Sequence, residues 1–109
     1  METKGIETSK VFDYKSLIDY KKGEVVEKMV TFVSGGGVEL KAADAGTEIA
    51  EHSVPFQATL YVLDGEAAVT IEGKTYHPHT GQLLVVPANA HHSLKAEQRF
   101  TVLLSVIKA

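Results

Sequence analysis

The sequence predicts an all-β fold. Its apolar residues fall in short runs of strand length, rich in β-branched side chains and separated by glycine, proline and polar turns. One run shows the period of two expected of a half-buried strand, because Ala67, Val69 and Ile71 share one face. Helical periodicity is confined to residues 14–20, where Tyr14 and Leu17 lie three apart. A stretch this short needs a sheet or a partner chain to pack against.

The expected strands follow that helical stretch in chain order. They span residues 25–33, 38–41, 59–63, 67–71, 75–77, 83–86, 91–94 and 100–107. The glycines at 35–37 fit a flexible hairpin connection, since no phosphate-loop signature follows them. Asp64-Gly65 and Glu72-Gly73 are expected to form tight turns, because glycine takes positive φ without strain.

Composition limits both the size and the partners of the protein. A chain of 109 residues with 44% hydrophobic residues predicts a single domain over residues 1–109, with residues 1–45 holding the N-terminal strands and the short helix. The net charge is −3 and is spread without blocks of one sign, so neither nucleic acid nor a membrane is expected as a partner. No long apolar run and no secretory signal are visible, which predicts a cytoplasmic protein.

The chemistry open to the chain is narrowed by the absence of cysteine. Disulfides, thiolate metal sites and cysteine nucleophiles are excluded, so any metal must be held by histidine, carboxylate or amide oxygen. No serine stands in a nucleophile-elbow setting. The assignable inner positions are apolar, which is typical of a small-molecule pocket.

Two glycine-framed segments carry the most specific pattern in the chain. The first has Gly46, His52 and Gly65, and the second, separated from it by fifteen residues, runs from Gly81 through Pro87 to His92. Over residues 46–107 these segments resemble the paired motifs of the cupin family. The resemblance implies a double-stranded β-helix, the jelly-roll barrel of that family.

The same resemblance implies a metal site that has lost part of its ligand set. His52 and His92 match the histidines of the first and second motifs, while Val54 stands at the place of a further histidine and Ala58 at that of the glutamate. The implied cofactor is one divalent transition metal, namely zinc, iron, nickel or copper, and no organic cofactor is implied. Asn89 replaces a usual glycine, a change that asparagine tolerates in left-handed backbone.

A metal-free alternative stands beside this interpretation. His52 and His92 are then neutral polar residues of an apolar pocket, hydrogen-bonded to each other, to Gln57 or to water. Gln57 is a possible oxygen ligand, although strict alternation aims it away from the side that His52 uses. The residues expected to line the pocket are Val54, Gln57, Ala58, Leu60 and Tyr61.

Three further histidines have no assigned role. His91 neighbours His92, and adjacent strand residues point to opposite faces, so only one of the two can reach the pocket. His77 and His79 flank Pro78. Solvent-exposed histidines are common in such turns, and the alternative interpretation is that both side chains bind one metal ion.

Two functions follow from different classes. The favoured one is a small-molecule-binding or sensing module. The alternative, which the resemblance to cupins implies, is a metal-dependent enzyme of the dioxygenase or isomerase type. A structural dimer without a ligand is a third hypothesis. A homodimer is expected in each case, because small antiparallel sandwiches leave apolar edges to cover, and the N-terminal strand and helix could exchange between chains.

Overall fold

The computed structural model describes residues 5–108. Its elements are α1 (Tyr14–Leu17), β1 (Val25–Val33), β2 (Gly36–Ala43), β3 (Glu48–His52), β4 (Gln57–Gly65), β5 (Ala68–Ile71), β6 (Lys74–Tyr76), β7 (Leu83–Val86), β8 (His92–Lys95) and β9 (Phe100–Ile107). The prediction of an all-β fold is confirmed. No helix formed by residues 5–108 is long and apolar enough to cross a membrane.

The strands form two antiparallel sheets that face each other in a jelly-roll sandwich. The five-stranded sheet has the order β1-β2-β9-β4-β7 and the four-stranded sheet has the order β3-β8-β5-β6. Sequential strands thus often lie in different sheets, as in a double-stranded β-helix. The motif histidines enter the same sheet, because β3 pairs directly with β8.

The main core fills the space between the sheets and follows from the alternation of each strand. On β4, Leu60 and Val62 point inward and are fully buried, and they meet Phe100 and Val102 of β9. Val69 of β5 and Leu94 of β8 contribute from the opposite sheet. The candidate site is a cavity at the end of this core, where Leu60 and Leu94 border smaller side chains such as Ala58.

A second, smaller core covers the outer face of the five-stranded sheet. Ile18 packs there on Leu40 and Ala42 of β2, with partly buried side chains of the helix around them. The helix spans only Tyr14–Leu17, shorter than predicted, because Ile18 already has extended backbone, with φ −149° and ψ 147°. Asp13 begins it by accepting a hydrogen bond from the amide of Lys15.

Two local expectations differ from the structure. The strand β3 was not expected, because its five residues are largely exposed and carry little of the β-branched pattern that marks the others. At Asp64-Gly65 the chain does not turn, since β4 continues through Gly65, which pairs with Phe100. Gly65 has φ +80°, and a Cβ there would lie 2.1 Å from the carbonyl oxygen of Arg99. The glycine therefore serves close backbone approach.

A polar network ties the segment after α1 to the outer face of the sheet. The hydroxyl of Tyr20 donates to the Asp64 carboxylate at 2.6 Å and accepts from the hydroxyl of Thr101 at 2.9 Å. Burial, and next the hydrogen bond to Asp64, raises the pKa of Tyr20 to about 12. Nearby, a hydrogen bond from the amide of Gly23 lowers the pKa of the Asp44 carboxyl.

Candidate functional site

The motif histidines open into a cavity between the two sheets, which we call the inner chamber. Its volume is about 150 Å³. It is lined by Glu39, Lys41, Ile49, His52, Val54, Ala58, Leu60, Val86, His92, Leu94, Leu104 and Val106. Apolar side chains dominate this lining, and the polar groups are concentrated on two walls.

One polar wall is built by a register irregularity in β3. Ile49 pairs with Leu94 and His52 pairs with His92, so two residues of β3 stand opposite the single residue Ser93. The extra residue shifts the alternation and brings both Ile49 and His52 to the chamber, where simple alternation would separate them.

The two rings are neighbours but differ in exposure. Their centroids lie 4.3 Å apart and their planes are inclined by 56°. His92 is only 8% exposed, while His52 is solvent-exposed at the mouth. The pair thus spans the chamber from its rim to its buried side.

Backbone hydrogen bonds fix the proton on each ring. Nδ1 of His52 lies 2.9 Å from the carbonyl oxygen of Ala50, and Nδ1 of His92 lies 3.0 Å from that of Ala90. A carbonyl oxygen only accepts, so each Nδ1 carries a hydrogen, and in the neutral form of an imidazole the lone pair is then on Nε2. Neither Nε2 takes part in a hydrogen bond among residues 5–108. The pair therefore offers two hydrogen-bond acceptors.

The second polar wall lies on β2. Glu39 and Lys41 project into the chamber, with Glu39 Oε1 at 3.6 Å from Lys41 Nζ. Lys41 is also paired with Glu27 on the adjacent strand and is only 14% exposed. The ammonium of Lys41 is thus shared by two carboxylates, and the charges of Glu39 and Lys41 on this wall balance.

A second cavity, the outer chamber, adjoins the first. It has a volume of about 210 Å³ and shares Glu39, Val54, Leu104 and Val106 with the inner chamber. Its other lining residues are Met29, Phe32, Gly37, Phe56 and Lys108. Phe32 is 46% exposed, so the outer chamber opens to solvent.

The predicted lining residues fall into two groups. Val54, Ala58 and Leu60 line the inner chamber. Gln57 and Tyr61 alternate with them along β4 and lie on the outer face of the sheet, so neither borders this chamber. Gln57 instead borders a separate, shallow cavity with Pro55.

The loop before β4 is held over the chamber by the residue that departs from the family pattern. Asn89 has left-handed backbone with φ 68°, as its sequence position predicts. Its amide donates to the carbonyl oxygen of Val54 at 2.7 Å. This bond joins the two motif segments and positions Val54 above the histidines.

The remaining histidines lie away from the chamber. His91 points to the other face of its strand, with Nδ1 at 3.7 Å from Glu51 Oε2, and its amide donates to Glu72. His77 lies 3.7 Å from Glu66, and half of its side chain is exposed. Neither belongs to a cluster of metal-ligating residues within residues 5–108.

The side chains around His52 and His92 could supply too few ligands for the metal that the resemblance implies. Within residues 5–108, no group of three or more histidine, cysteine, aspartate or glutamate side chains is placed to hold one ion. A catalytic zinc takes about three protein ligands and a structural zinc four. His52 and His92 supply two, and Val54 and Ala58 line the chamber where the other two would come from. The residues present do not fit a complete metal centre.

Sequence reasoning missed the charged wall and the outer chamber. Glu39 and Lys41 are two apart on one strand and were expected there without a role. Their alternation was the available signal, since it puts both on one face. Lys108, Phe32 and Phe56 are distant in sequence, and no local pattern connects them.

The sequence also matches the model of the cupin domain over residues 38–107. The chain belongs to the cupin family. No curated protein matches it. Among solved structures, a conserved protein of unknown function from Streptococcus pyogenes is 31% identical, with a TM-score of 0.91 over 100% of this chain and 96% of that one.

Two further solved structures are similar to this chain in fold. A cupin superfamily protein from Desulfitobacterium hafniense has a TM-score of 0.88 at 19% identity, over 100% of both chains. Salicylate 1,2-dioxygenase from Pseudoaminobacter salicylatoxidans has a TM-score of 0.71 at 23% identity, over 76% of this chain and 26% of the enzyme. At these identities the likeness concerns the fold.

Proposed function

We propose that this cupin binds a small, partly apolar molecule in the inner chamber, with His52 and His92 accepting hydrogen bonds from its donor groups. The observation that carries the proposal is the anchoring of both Nδ1 atoms to backbone carbonyls, which leaves both Nε2 lone pairs for a ligand. A pair of acceptors fixed by the backbone needs no rearrangement on binding, and such preorganisation favours affinity.

The rest of the lining supports a ligand with an apolar part. Val54, Ala58, Leu60 and Val86 present hydrocarbon between the two polar walls. A chamber of about 150 Å³ suits a ligand of a few heavy atoms, or one that extends into the outer chamber. Few polar groups among apolar side chains is the usual character of a small-molecule site.

A binding or sensing role is favoured over the metal-dependent dioxygenase or isomerase alternative. The two histidines fall short of the three ligands of a catalytic zinc, and no other candidate ligand joins them among residues 5–108. The likeness to a dioxygenase concerns the fold, which is a weak basis for inferring chemistry.

The experiment is a thermal-shift screen of small alcohols, amines and amides against the wild type and three variants. His52→Leu and His92→Leu remove the acceptors while keeping apolar bulk. His91→Leu, immediately before β8 and directed away from the chamber, is the matched control. We expect compounds that raise the wild-type melting temperature to lose their effect in the first two variants and keep it in the third. Compounds that act equally on all four proteins would overturn the proposal.

We also propose that two copies associate through β7. This strand exposes 65% of Leu83 and 47% of Val85, and within residues 5–108 it lies at the edge of its sheet, paired with β4. An apolar edge strand with free backbone groups favours pairing with another strand, here its own copy. Light scattering should give twice 11.8 kDa for the wild type and 11.8 kDa for Leu83→Lys/Val85→Lys. A wild type of monomeric mass would contradict this.

A further inference from the structure

Two phenylalanines of the outer chamber enclose the ammonium group of Lys108. Lys108 Nζ lies 5.4 Å from the centroid of the Phe32 ring and 5.1 Å from that of Phe56. Both distances are within the range of about 6 Å over which a cation is attracted to an aromatic face. The rings come from β1 and from the loop before β4, so the fold, and not chain proximity, brings them together.

This arrangement differs from the other lysine–aromatic contacts of residues 5–108. Lys10, Lys15 and Lys74 each lie over a single ring that is close in sequence. Lys108 alone among the lysines of that range lies over two rings, and it does so at the wall of a cavity. Its amide donates to the carbonyl oxygen of Gly35 at 2.8 Å, which anchors the residue beside the β1–β2 hairpin.

A carboxylate on the neighbouring wall can also attract a cation. Glu39 lines both chambers, and the nearby Lys41 is shared between Glu39 and Glu27. The ion pairs found within residues 5–108 do not include Lys108. The rings are thus the contacts that hold its ammonium, as they would hold that of a ligand.

We propose that Phe32 and Phe56 form a binding site for a small quaternary or methylated ammonium ligand, and that Lys108 occupies this site in the absence of the ligand. For the hydroxyl end of the ligand, the inference rests on the proposed function of the histidine pair. The ammonium group lies between the rings, and a hydroxyl group on the same ligand donates to the histidine pair in the adjoining chamber.

Occupation by Lys108 makes ligand binding competitive. A ligand ammonium must displace the lysine from both rings, so part of its binding free energy is spent on that exchange. Removing the lysine side chain frees the rings without altering the histidine pair. The lysine thereby lowers the apparent affinity of every ligand that must displace it by the same factor, and Lys108→Ala should restore that affinity.

The probes are choline and its neutral isostere 3,3-dimethylbutan-1-ol, which share a shape and a hydroxyl group and differ in charge. Calorimetry or protein-observed NMR measures both dissociation constants on the wild type and on Lys108→Ala. We expect choline to bind more tightly than the alcohol in both proteins. In Lys108→Ala the preference should reach about four- to twenty-five-fold, since each ring contributes about two- to fivefold.

Ring variants and a lysine control localise the effect. Phe32→Leu and Phe56→Leu keep apolar bulk, and each should lower choline affinity by about two- to fivefold while leaving the alcohol nearly unchanged. Lys74→Ala removes the lysine stacked on Tyr76 far from the chambers, and it should behave as the wild type. Equal affinity for choline and the alcohol in Lys108→Ala would overturn the inference.

The histidine variants separate this inference from the proposed function. His52→Leu/His92→Leu should weaken both probes equally, because both donate the same hydroxyl. If the choline preference persists but the double variant binds both probes as the wild type does, the proposed role of the histidines fails, and the aromatic site stands on its own. If the preference is absent but the histidines matter, the aromatic site alone fails.

Discussion

The outer face of the five-stranded sheet and the inner chamber between the two sheets use polar side chains differently. On the outer face, the hydroxyl of Tyr20 both donates and accepts a hydrogen bond, and its partners Asp64 and Thr101 come from the same chain. In the inner chamber, His52 and His92 of the four-stranded sheet each have one ring nitrogen bonded to the backbone and the other facing the chamber. The Tyr20 hydroxyl thus has both a donor and an acceptor within the protein, whereas each histidine ring has one nitrogen without a partner among residues 5–108. A binding site is therefore marked by polar groups that still have a hydrogen-bonding atom without a protein partner, and not by polar groups in general.

The largest expected effect comes from restoring the missing ligands on the inner face. Val54→His/Ala58→Glu places histidine and glutamate where the family carries them, beside His52 and His92. We expect zinc retained after dialysis to rise to about one ion per chain, measured by elemental analysis, because four side chains then surround one point. A chelator should lower the melting temperature, since a buried glutamate is costly without the metal.

The control for that experiment is Gln57→Glu, which adds the same charge one residue away on the outer face. It should bind no more zinc than the wild type. Equal zinc in the double variant and in Gln57→Glu would show that the chamber geometry is wrong.

The next effect concerns the free energy of unfolding and compares the Tyr20 network with the histidine pair directly. Tyr20→Phe leaves buried Thr101 and the Asp64 carboxylate without their partner and should cost about 1–3 kcal/mol of unfolding free energy in urea titrations. His52→Leu removes a ring whose Nε2 has no protein partner, and it should change stability by about 0.5 kcal/mol or less. A reversed order of these two effects would contradict the comparison.

The same network predicts a loss of stability at alkaline pH. The pKa of Tyr20 is raised to about 12 from 10.0. The neutral phenol is therefore favoured in the folded state, and its contribution is fully present below pH 10 and is lost as the pH rises towards about 12. Urea titrations between pH 9 and 12 should show a decline that Tyr20→Phe lacks. An equal decline in the variant would exclude Tyr20 as its cause.

A smaller effect is expected at acid pH from Asp44. The amide of Gly23 lowers the pKa of this carboxyl, so its contribution is present above the unfolded value and is lost as the pH falls through the folded one. Asp44→Asn should therefore flatten the acid limb of the stability curve below about pH 4. Asp19→Asn, whose carboxylate accepts only from the adjacent amide of Tyr20, is the control and should leave that limb unchanged.

Much of the fold follows from local patterns in the sequence. The bounds of β1, β7 and β9 agree with prediction, because those strands are apolar and clearly delimited. The strand β3 was missed since its residues are exposed, and the Asp64-Gly65 turn was wrong because the glycine serves close approach to Arg99 rather than a hairpin.

The site was only partly predictable. The glycine framing of the motifs indicated His52 and His92, and the structure brings their rings together. Alternation along β4 decides that Ala58 lines the chamber and Gln57 does not, but Pro55 obscured the register. Strand β2 faces the histidines, and Phe32 lies close to Phe56, because of long-range strand pairing. Local sequence does not encode that pairing.

The most direct test of the central claim, two preorganised acceptors in the inner chamber, is the tautomeric state of the two rings. Long-range proton–nitrogen NMR spectra at pH 8, where an ordinary imidazole is neutral, report which nitrogen carries the hydrogen. His52→Leu and His92→Leu assign the signals. The account predicts hydrogen on Nδ1 and a free lone pair on Nε2 for both rings. Hydrogen on Nε2 of either ring would remove an acceptor from the chamber and contradict it.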